Sequence, residues 1–469
     1  MKNKYITLLK NMGLFFIASF VPKTIAFFLV PLYTYCLSTE DYGTVDLLTH
    51  TVQLLIPFLT FQVQDAVLRF SMDPKYDKNE VFSNGLIITL RGGLILIAGA
   101  AVCAITHVIT MPITFWLFFV ITYFTGSLNS IFSYFCRGIG KIKILTLSSI
   151  TMSIVTVSLN ILFLLKLKMG LEGYLLANSV GALVNIIIIY FGAGLKRFTL
   201  LKIKSQTVYK EMVRFSIPMI FSAISWWINN ASDRYILTFF SGVSVVGIYA
   251  VSSKIPTIIS TLSSVVSRAY SISAIKELDV EDKDGFLGRS YAIIGFCSVL
   301  GCSLLMIANI GLARILFSKD FFVAWQFVPP LLISALMNQL SLSCENLLIA
   351  LKNTRLVSVT AIIAAATNTV FNFILIPLFG AYGAAIATVI GFTLQWVLRF
   401  RSIKRIVKLK NETVKEIISY LLLMVQMIIA YYGNDFIAFQ IVILATIVVM
   451  YHKELLSILR NIKKRLPNR

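Results

Sequence analysis

The sequence predicts an all-α integral membrane protein with about 14 transmembrane helices: two six-helix lobes related by internal duplication, then two further helices at the C-terminal end. Composition is the first observation behind this. Hydrophobic residues make up 58% of the 469 and charged residues only 13%, a balance that polar surface could not cover in water. The second is the recurrence of apolar runs of roughly 20 residues, enough to cross a hydrocarbon core at about 1.5 Å of rise per residue. The third is a copied pattern. Gly170-Leu171-Glu172-Gly173-Tyr174-Leu175-Leu176-Ala177-Asn178-Ser179-Val180-Gly181 and Gly380-Ala381-Tyr382-Gly383-Ala384-Ala385-Ile386-Ala387-Thr388-Val389-Ile390-Gly391 follow one template 210 positions apart.

Taken in order, the expected span cores are 11–36, 43–68, 82–105, 112–136, 144–165, 173–195, 213–240, 246–270, 289–317, 325–351, 356–378, 381–400, 416–432 and 436–451. The first is too long for a signal-peptide core and contains Pro22 and Lys23 with no small-residue cleavage site after it, so it is expected to stay in the mature protein. Spans 1 to 6 form an N-terminal lobe over 1–195, and a basic linker follows over 196–212. Spans 7 to 12 form a C-terminal lobe over 213–405. Spans 13 and 14, with a basic tail, occupy 406–469 outside the repeat.

The duplication extends beyond the glycine template. Asn160-Ile161-Leu162 precedes the first copy as Asn372-Phe373-Ile374-Leu375 precedes the second, and Thr39-Glu40-Asp41-Tyr42-Gly43 lies 204 positions before Val243-Ser244-Val245-Val246-Gly247. The glycines read as packing residues: Gly-xx-Gly and Gly-xxx-small spacings let membrane helices turn tightly and approach closely.

A formal net charge of +21 would suit a nucleic-acid binder, but the placement of the charges excludes it. With both termini inside, 34 of the 42 lysines and arginines fall on cytoplasmic segments. The opposite loops hold Lys166, Lys168, Arg314 and Lys319, and the spans hold Lys23, Arg91, Arg234 and Lys254. This positive-inside bias predicts cytoplasmic termini, an even number of crossings, and short external loops near Glu40, Ser244, Gly380 and Asn434. Cys36, Cys103, Cys136, Cys297, Cys302 and Cys344 are scattered without CxxC spacing, and His50, His107 and His452 are far apart. No metal site, disulfide or cofactor is expected.

The residues then resemble a known family. Asn-xx-Leu leading into Gly-xx-Gly-xx-x-Ala-xxx-Gly, the Leu68-Arg69-Phe70 ending of span 2, and an opening Lys-Asn-xx-Leu followed by Leu29-Val30-Pro31-Leu32-Tyr33-Thr34 are similar to the polysaccharide repeat-unit flippases. These belong to the multidrug/oligosaccharidyl-lipid/polysaccharide exporter superfamily. The resemblance covers the twelve repeated spans. It implies a transporter in the bacterial inner membrane that turns an undecaprenyl-pyrophosphate-linked oligosaccharide of O-antigen, capsule or exopolysaccharide from the inner to the outer leaflet, by alternating access of two lobes. Other polysaccharide assembly proteins are implied as partners. Related lipid II flippases carry cationic cavity residues on the first and eighth spans, where Lys23 and Lys254 stand here.

Intramembrane polar residues are the candidate site. On span 2, Asp46, His50, Gln53, Pro57, Thr60 and Gln64 share one helical face by their spacing. Shifted by 204, span 8 presents Ala250, Lys254, Thr257, Thr261, Ser264 and Arg268, and span 7 adds Ser225, Asn229 and Asp233 beside Trp226, Trp227, Asn230 and Arg234. A charge at the bilayer centre costs from roughly 3 to over 10 kcal/mol, so each needs a partner or a wet lumen. Lys23, Lys254, Arg234 and Arg91 are candidates for an anionic headgroup, with His50, Trp226 and Asn229 as further cargo contacts. Asp46, Asp65 and Asp233 are candidates for ion coupling, against the plainer expectation that Asp46 or Asp233 neutralises a neighbouring cation and that Asp65 pairs with Arg69.

Two alternatives compete. A cation-coupled multidrug exporter would favour unpaired acids in the cavity over four buried cations. A membrane polysaccharide polymerase or glycosyltransferase would need a sizeable extramembrane loop, whereas the outer loops are mostly about ten residues or shorter, so no enzyme is expected. No Walker loop is present, which removes ATP as the direct energy source.

Overall fold

The computed structural model describes residues 20–106, 112–199, 203, 205–276, 278–409 and 413–452, and all regular structure among them is helical. The opening Lys10-Asn11 motif, His107 and the basic tail lie outside the described residues. The chain divides into two compact units, Met1–Ala231 and Ser232–Arg469.

The first unit contains α1 (Phe20–Cys36), α2 (Thr39–Leu59), α3 (Val63–Ser71), α4 (Lys78–Ile105), α5 (Ile113–Gly138), α6 (Ile142–Lys166) and α7 (Gly170–Gly192), and it ends within α8 (Gln206–Ser241). Local chemistry sets these boundaries. Ser38 and Asp41 exchange hydrogen bonds of 3.1 Å in a capping box that starts α2, and Asp77 accepts from the Asn79 amide to start α4. The last turn of α6 widens, with Leu167 N–H reaching the Leu162 carbonyl five residues back. The core forms where α3, α4, α5, α7 and the start of α8 meet, around Val63, Val67, Phe82, Phe135, Leu195 and Met212. Tyr76 Oη donates to Glu211 at 2.9 Å and Phe70 packs edge-on against Phe215, fastening the start of α8 to this unit.

The second unit holds the end of α8, then α9 (Val243–Ser252), α10 (Pro256–Lys276), α11 (Phe286–Leu316), α12 (Val328–Ala350), α13 (Thr354–Ile406), α14 (Thr413–Ala430) and α15 (Ile437–Met450). Within α13, Gly380 (φ 55°, ψ −134°) follows Pro377 and breaks the helical path, so this 53-residue element carries two expected spans. α14 is held by buried polar contacts: Ser303 Oγ donates to Gln426 Oε1 at 2.8 Å, and Gln426 Nε2 donates back to the Ser303 carbonyl at 3.1 Å.

Each unit repeats the other's glycine geometry. Gly170 and Gly380 have φ of +56° and +55°, a conformation open to glycine at little cost. Gly181 packs directly on Thr156 Oγ1, and a Cβ at Gly391 would stand 3.0 Å from Asn368 Cβ. Thr156 and Asn368 are themselves repeat partners, so both units use one close helix approach.

Among the described residues, seven helices are long and apolar enough to cross a membrane, and up to nine if each bent pair is one span. The expectation of fourteen crossings exceeds this count. α13 is one element with two expected spans, α1 and α15 are short, and α8 and α14 are not among the helices counted. Span 12 is expected to end at 400, with Arg399 on the cytoplasmic segment. The helix runs to Ile406 and buries Arg399 to 2% exposure.

Candidate functional site

The second expected span of each unit is broken, and the breaks arise from different residues. In the first unit, Pro57 cannot donate within α2, and the Thr60 hydroxyl bonds back to the Ile56 carbonyl at 2.7 Å. Phe61 and Gln62 then turn left-handed (φ 51° and 52°), and α3 leaves at 60° to α2. In the second unit, Pro256 restarts the chain as α10 and pushes the preceding residue out of helix. Ser252 and Ser253 bond back to the Tyr249 and Ala250 carbonyls, and α9 and α10 meet at 52°. The straight polar stripes expected along spans 2 and 8 are therefore each interrupted. Gln64 lies past one bend, and Lys254 lies in the other.

In the first unit, Asp46 and His50 form a pair one helical turn apart on α2. His50 Nε2 stands 3.7 Å from Asp46 Oδ1, with side chains 17% and 14% exposed. Trp227 of α8 donates its indole N–H to the His50 main-chain carbonyl at 2.8 Å. Nearby, Tyr33 of α1 meets Tyr174 of α7 edge to face at 4.8 Å. Lys23 on α1 and Arg91 midway along α4 are both exposed. Trp226 is 60% exposed, and Asn229 turns its amide back to the Ser225 carbonyl at 3.0 Å. The expected Asp65–Arg69 pair is absent. Arg69 is exposed, and the Asp65 carboxylate takes a hydrogen bond from Gln62, the residue the left-handed turn brings beside it.

In the second unit, Asp233 and Arg234 are 7% and 9% exposed and satisfy each other. Arg234 Nη1 lies 3.1 Å from Asp233 Oδ1, and the Arg234 main-chain N–H donates to the same oxygen at 2.9 Å. Tyr249 of α9 donates to Asp233 Oδ2 at 2.8 Å, and the Arg234 guanidinium sits 5.8 Å from the Tyr249 ring centroid. The network continues into α13: Tyr249 hydrogen-bonds Thr388, Asn368 Nδ2 donates to Thr388 Oγ1 at 3.4 Å, and Asn372 Nδ2 donates to Asn368 Oδ1 at 3.0 Å. Lys254, half-buried, follows α9 and precedes the amino end of α10.

The sequence reading missed the ion pair of Arg399. Arg399 donates to Glu345 at 2.8 Å, Ser341 Oγ at 2.9 Å and Thr360 Oγ1 at 3.0 Å, bolting α12 to both ends of α13. Its signal was weak, because Arg399 stands beside Arg401, Lys404 and Arg405 and reads as the first residue of a basic tail. The partners of Asp233 on α9 and α13 lie 16 or more positions away, so no local spacing announces them.

Two broken spans, buried polar networks within apolar helices, and a repeated glycine geometry define a multi-pass, all-α membrane protein of internally duplicated design. The polysaccharide biosynthesis protein family matches residues 8–272, more than half of the chain, and the chain belongs to that family. A curated relative, the probable flippase AglR of Haloferax volcanii, is 27% identical over 266 residues, which cover 49% of this chain and 53% of AglR. Among solved structures, the lipid II flippase MurJ in an inward closed conformation aligns with TM-score 0.69 at 14% identity, covering 94% of this chain and 99% of that one. An inward-facing multidrug resistance MATE transporter of the MOP superfamily aligns with TM-score 0.65 at 15% identity, covering 84% and 98%. At these identities the likeness establishes the shared fold.

Proposed function

We propose that this protein is a flippase that moves undecaprenyl-pyrophosphate-linked oligosaccharide repeat units from the inner to the outer leaflet of a bacterial cell membrane by alternating access, with both termini cytoplasmic. The observation that carries the reading is Lys254. A cation set at a break in an apolar span, next to the positive amino end of a half-helix, is a site for an anionic headgroup at membrane depth. Lys23 and Arg91 add positive charge on the first unit. Arg234 is already committed to Asp233, which makes it a lesser contact. The same pairing makes Asp233 a lesser candidate for ion coupling. An inside-negative potential favours outward movement of the anion by roughly 2.3 kcal/mol per charge per 100 mV.

The MATE-like fold and the partly buried Asp46 favour a second reading, a cation-coupled multidrug exporter. Proteoliposomes holding a fluorescent undecaprenyl-pyrophosphate oligosaccharide separate the two. The flippase reading expects time-dependent exposure of the label to an outside quencher. Export of a cationic dye with no movement of the lipid would establish the exporter instead.

A further inference from the structure

We infer that the aromatic strip at the outer end of α14 and α15 is a docking surface for the sugar rings of the cargo oligosaccharide as it leaves the protein. The inference rests on the flippase reading for its cargo and on the expected topology, which puts the turn between these two helices outside. Five rings follow one another across that turn. Tyr382 of α13 meets Tyr431 at 5.5 Å between centroids, Tyr431 meets Tyr432 at 6.0 Å, Tyr432 meets Phe436 at 5.9 Å, and Phe436 meets Phe439 of α15 at 5.9 Å. Gly433, at φ 75°, turns the chain between them. Trp325 and Ile310 stand beside Gly433, and Asn309 of α11 donates to the Trp325 carbonyl at 2.8 Å, so the turn rests on a fixed base. Even so, Tyr431, Tyr432, Phe436 and Phe439 are 49%, 61%, 42% and 60% exposed.

The opposite end of the same helices buries its rings. There Tyr420 and Tyr451 are 4% and 2% exposed, Tyr451 stacks on Phe296 at 4.6 Å, and Tyr420 meets Trp396 at 5.4 Å. The strip also has no counterpart in the first unit, since α14 and α15 lie outside the duplication and Tyr382 matches Glu172 at the repeat spacing of 210. It therefore serves something other than the packing that both copies share. Its chemistry selects the occupant. A sugar lays its C–H face on an aromatic ring and turns its hydroxyls sideways, where tyrosyl hydroxyls donate and accept and the exposed Asp435 carboxylate accepts. No lysine or arginine occurs between Glu416 and His452, so the strip suits the sugars of the cargo rather than its pyrophosphate. Rings that only anchor the helices at the headgroup level would act alike on every cargo, whereas a sugar platform acts only where sugars reach it.

The test uses the full chain in lipid nanodiscs, with the soluble oligosaccharide released by mild acid from undecaprenyl-pyrophosphate intermediates as probe. Magnetisation transfer from the protein's aromatic protons to the sugar should be clear in the wild type. Tyr432→Leu combined with Phe436→Leu should weaken binding about tenfold or more, whereas Tyr432→Phe, which keeps the ring, should stay within about threefold. In proteoliposomes the double leucine variant should slow movement of the full oligosaccharide lipid and leave undecaprenyl pyrophosphate bearing a single sugar at the wild-type rate. No transfer in the wild type, unchanged binding in the double leucine variant, or equal slowing of the two lipids overturns the sugar site and leaves the rings as interface anchors. A wild-type protein that binds the oligosaccharide but moves neither lipid overturns the flippase reading instead.

Discussion

The two units use the same second span differently. In the first, α2 runs 21 residues, about 32 Å, before it breaks, so the break falls close to the far side of a hydrocarbon core. In the second, α9 runs only 10 residues, about 15 Å, and the break falls near the middle. The prolines explain the difference, since Pro57 corresponds to Thr261 and Pro256 to Val52 at the repeat spacing of 204. The helices recur in both copies, while one proline in each, at non-equivalent positions, sets where along its span the backbone opens. The residue matching Lys254 is His50, which stays inside an unbroken helical stretch with Asp46. One copy offers a lysine at an opened backbone, and the other offers an Asp–His pair on a closed one.

The sharpest way to break this contrast is to reverse the charge at the opened backbone. Lys254→Glu should abolish surface polysaccharide in a cell dependent on this protein, a loss of two orders of magnitude or more, while Lys254→Arg largely retains it. Lys23→Glu is expected to act in the same direction. Full complementation by both Glu variants, at normal membrane abundance, would remove these lysines from the mechanism.

The next largest effect is on stability. Arg399→Ala strips Glu345 of its partner and leaves Ser341 and Thr360 without their donor, so it should cost about 3–5 kcal/mol. Thermal unfolding in detergent reads this directly. A loss below about 1 kcal/mol would mean that water replaces the guanidinium without penalty.

Much of this architecture was legible in the sequence. Composition and apolar run length gave the membrane helices, and the glycine template predicted paired helix approaches that Gly181 and Gly391 make. The spacing of Asp46 and His50 put them on one helical face, where they pair. What remained hidden has physical reasons. The left-handed turn at Phe61 and Gln62 uses no glycine, so no residue type marks it. Asp65 consequently meets Gln62 rather than Arg69, because a local bend overrides the i,i+4 rule. Arg399 was masked by the basic residues that follow it.

Exchanging the backbone devices gives a smaller, more discriminating effect. Pro256→Ala restores a donor and removes the steric bar to continuous helix, a preference worth up to about 3 kcal/mol at a helix interior. It should slow flipping clearly, because it favours closing the break beside Lys254. Pro57→Ala acts about 27 Å along its own span and should slow flipping less. Equal rates for the two variants would show that break depth is irrelevant to transport.

The smallest effect belongs to the tie between the fourth and sixth expected spans of each unit. In the first unit Asn185 Nδ2 donates to Asn129 Oδ1 at 2.7 Å, joining α7 to α5. The position 212 residues after Asn129 is Ser341, which accepts from Arg399 to join α12 to α13. The same helix contact is thus a neutral hydrogen bond in one copy and part of an ion-pair cage in the other. Neutral interhelical bonds in membranes average about 0.6 kcal/mol, since the separated helices find other partners. Asn185→Leu should therefore cost about that much, well below Arg399→Ala, and leave flipping near the wild-type rate. A loss comparable to that of Arg399→Ala in the same unfolding measurement would show that the first unit depends on its polar tie as heavily as the second, and the asymmetry between the copies would then be confined to their broken spans.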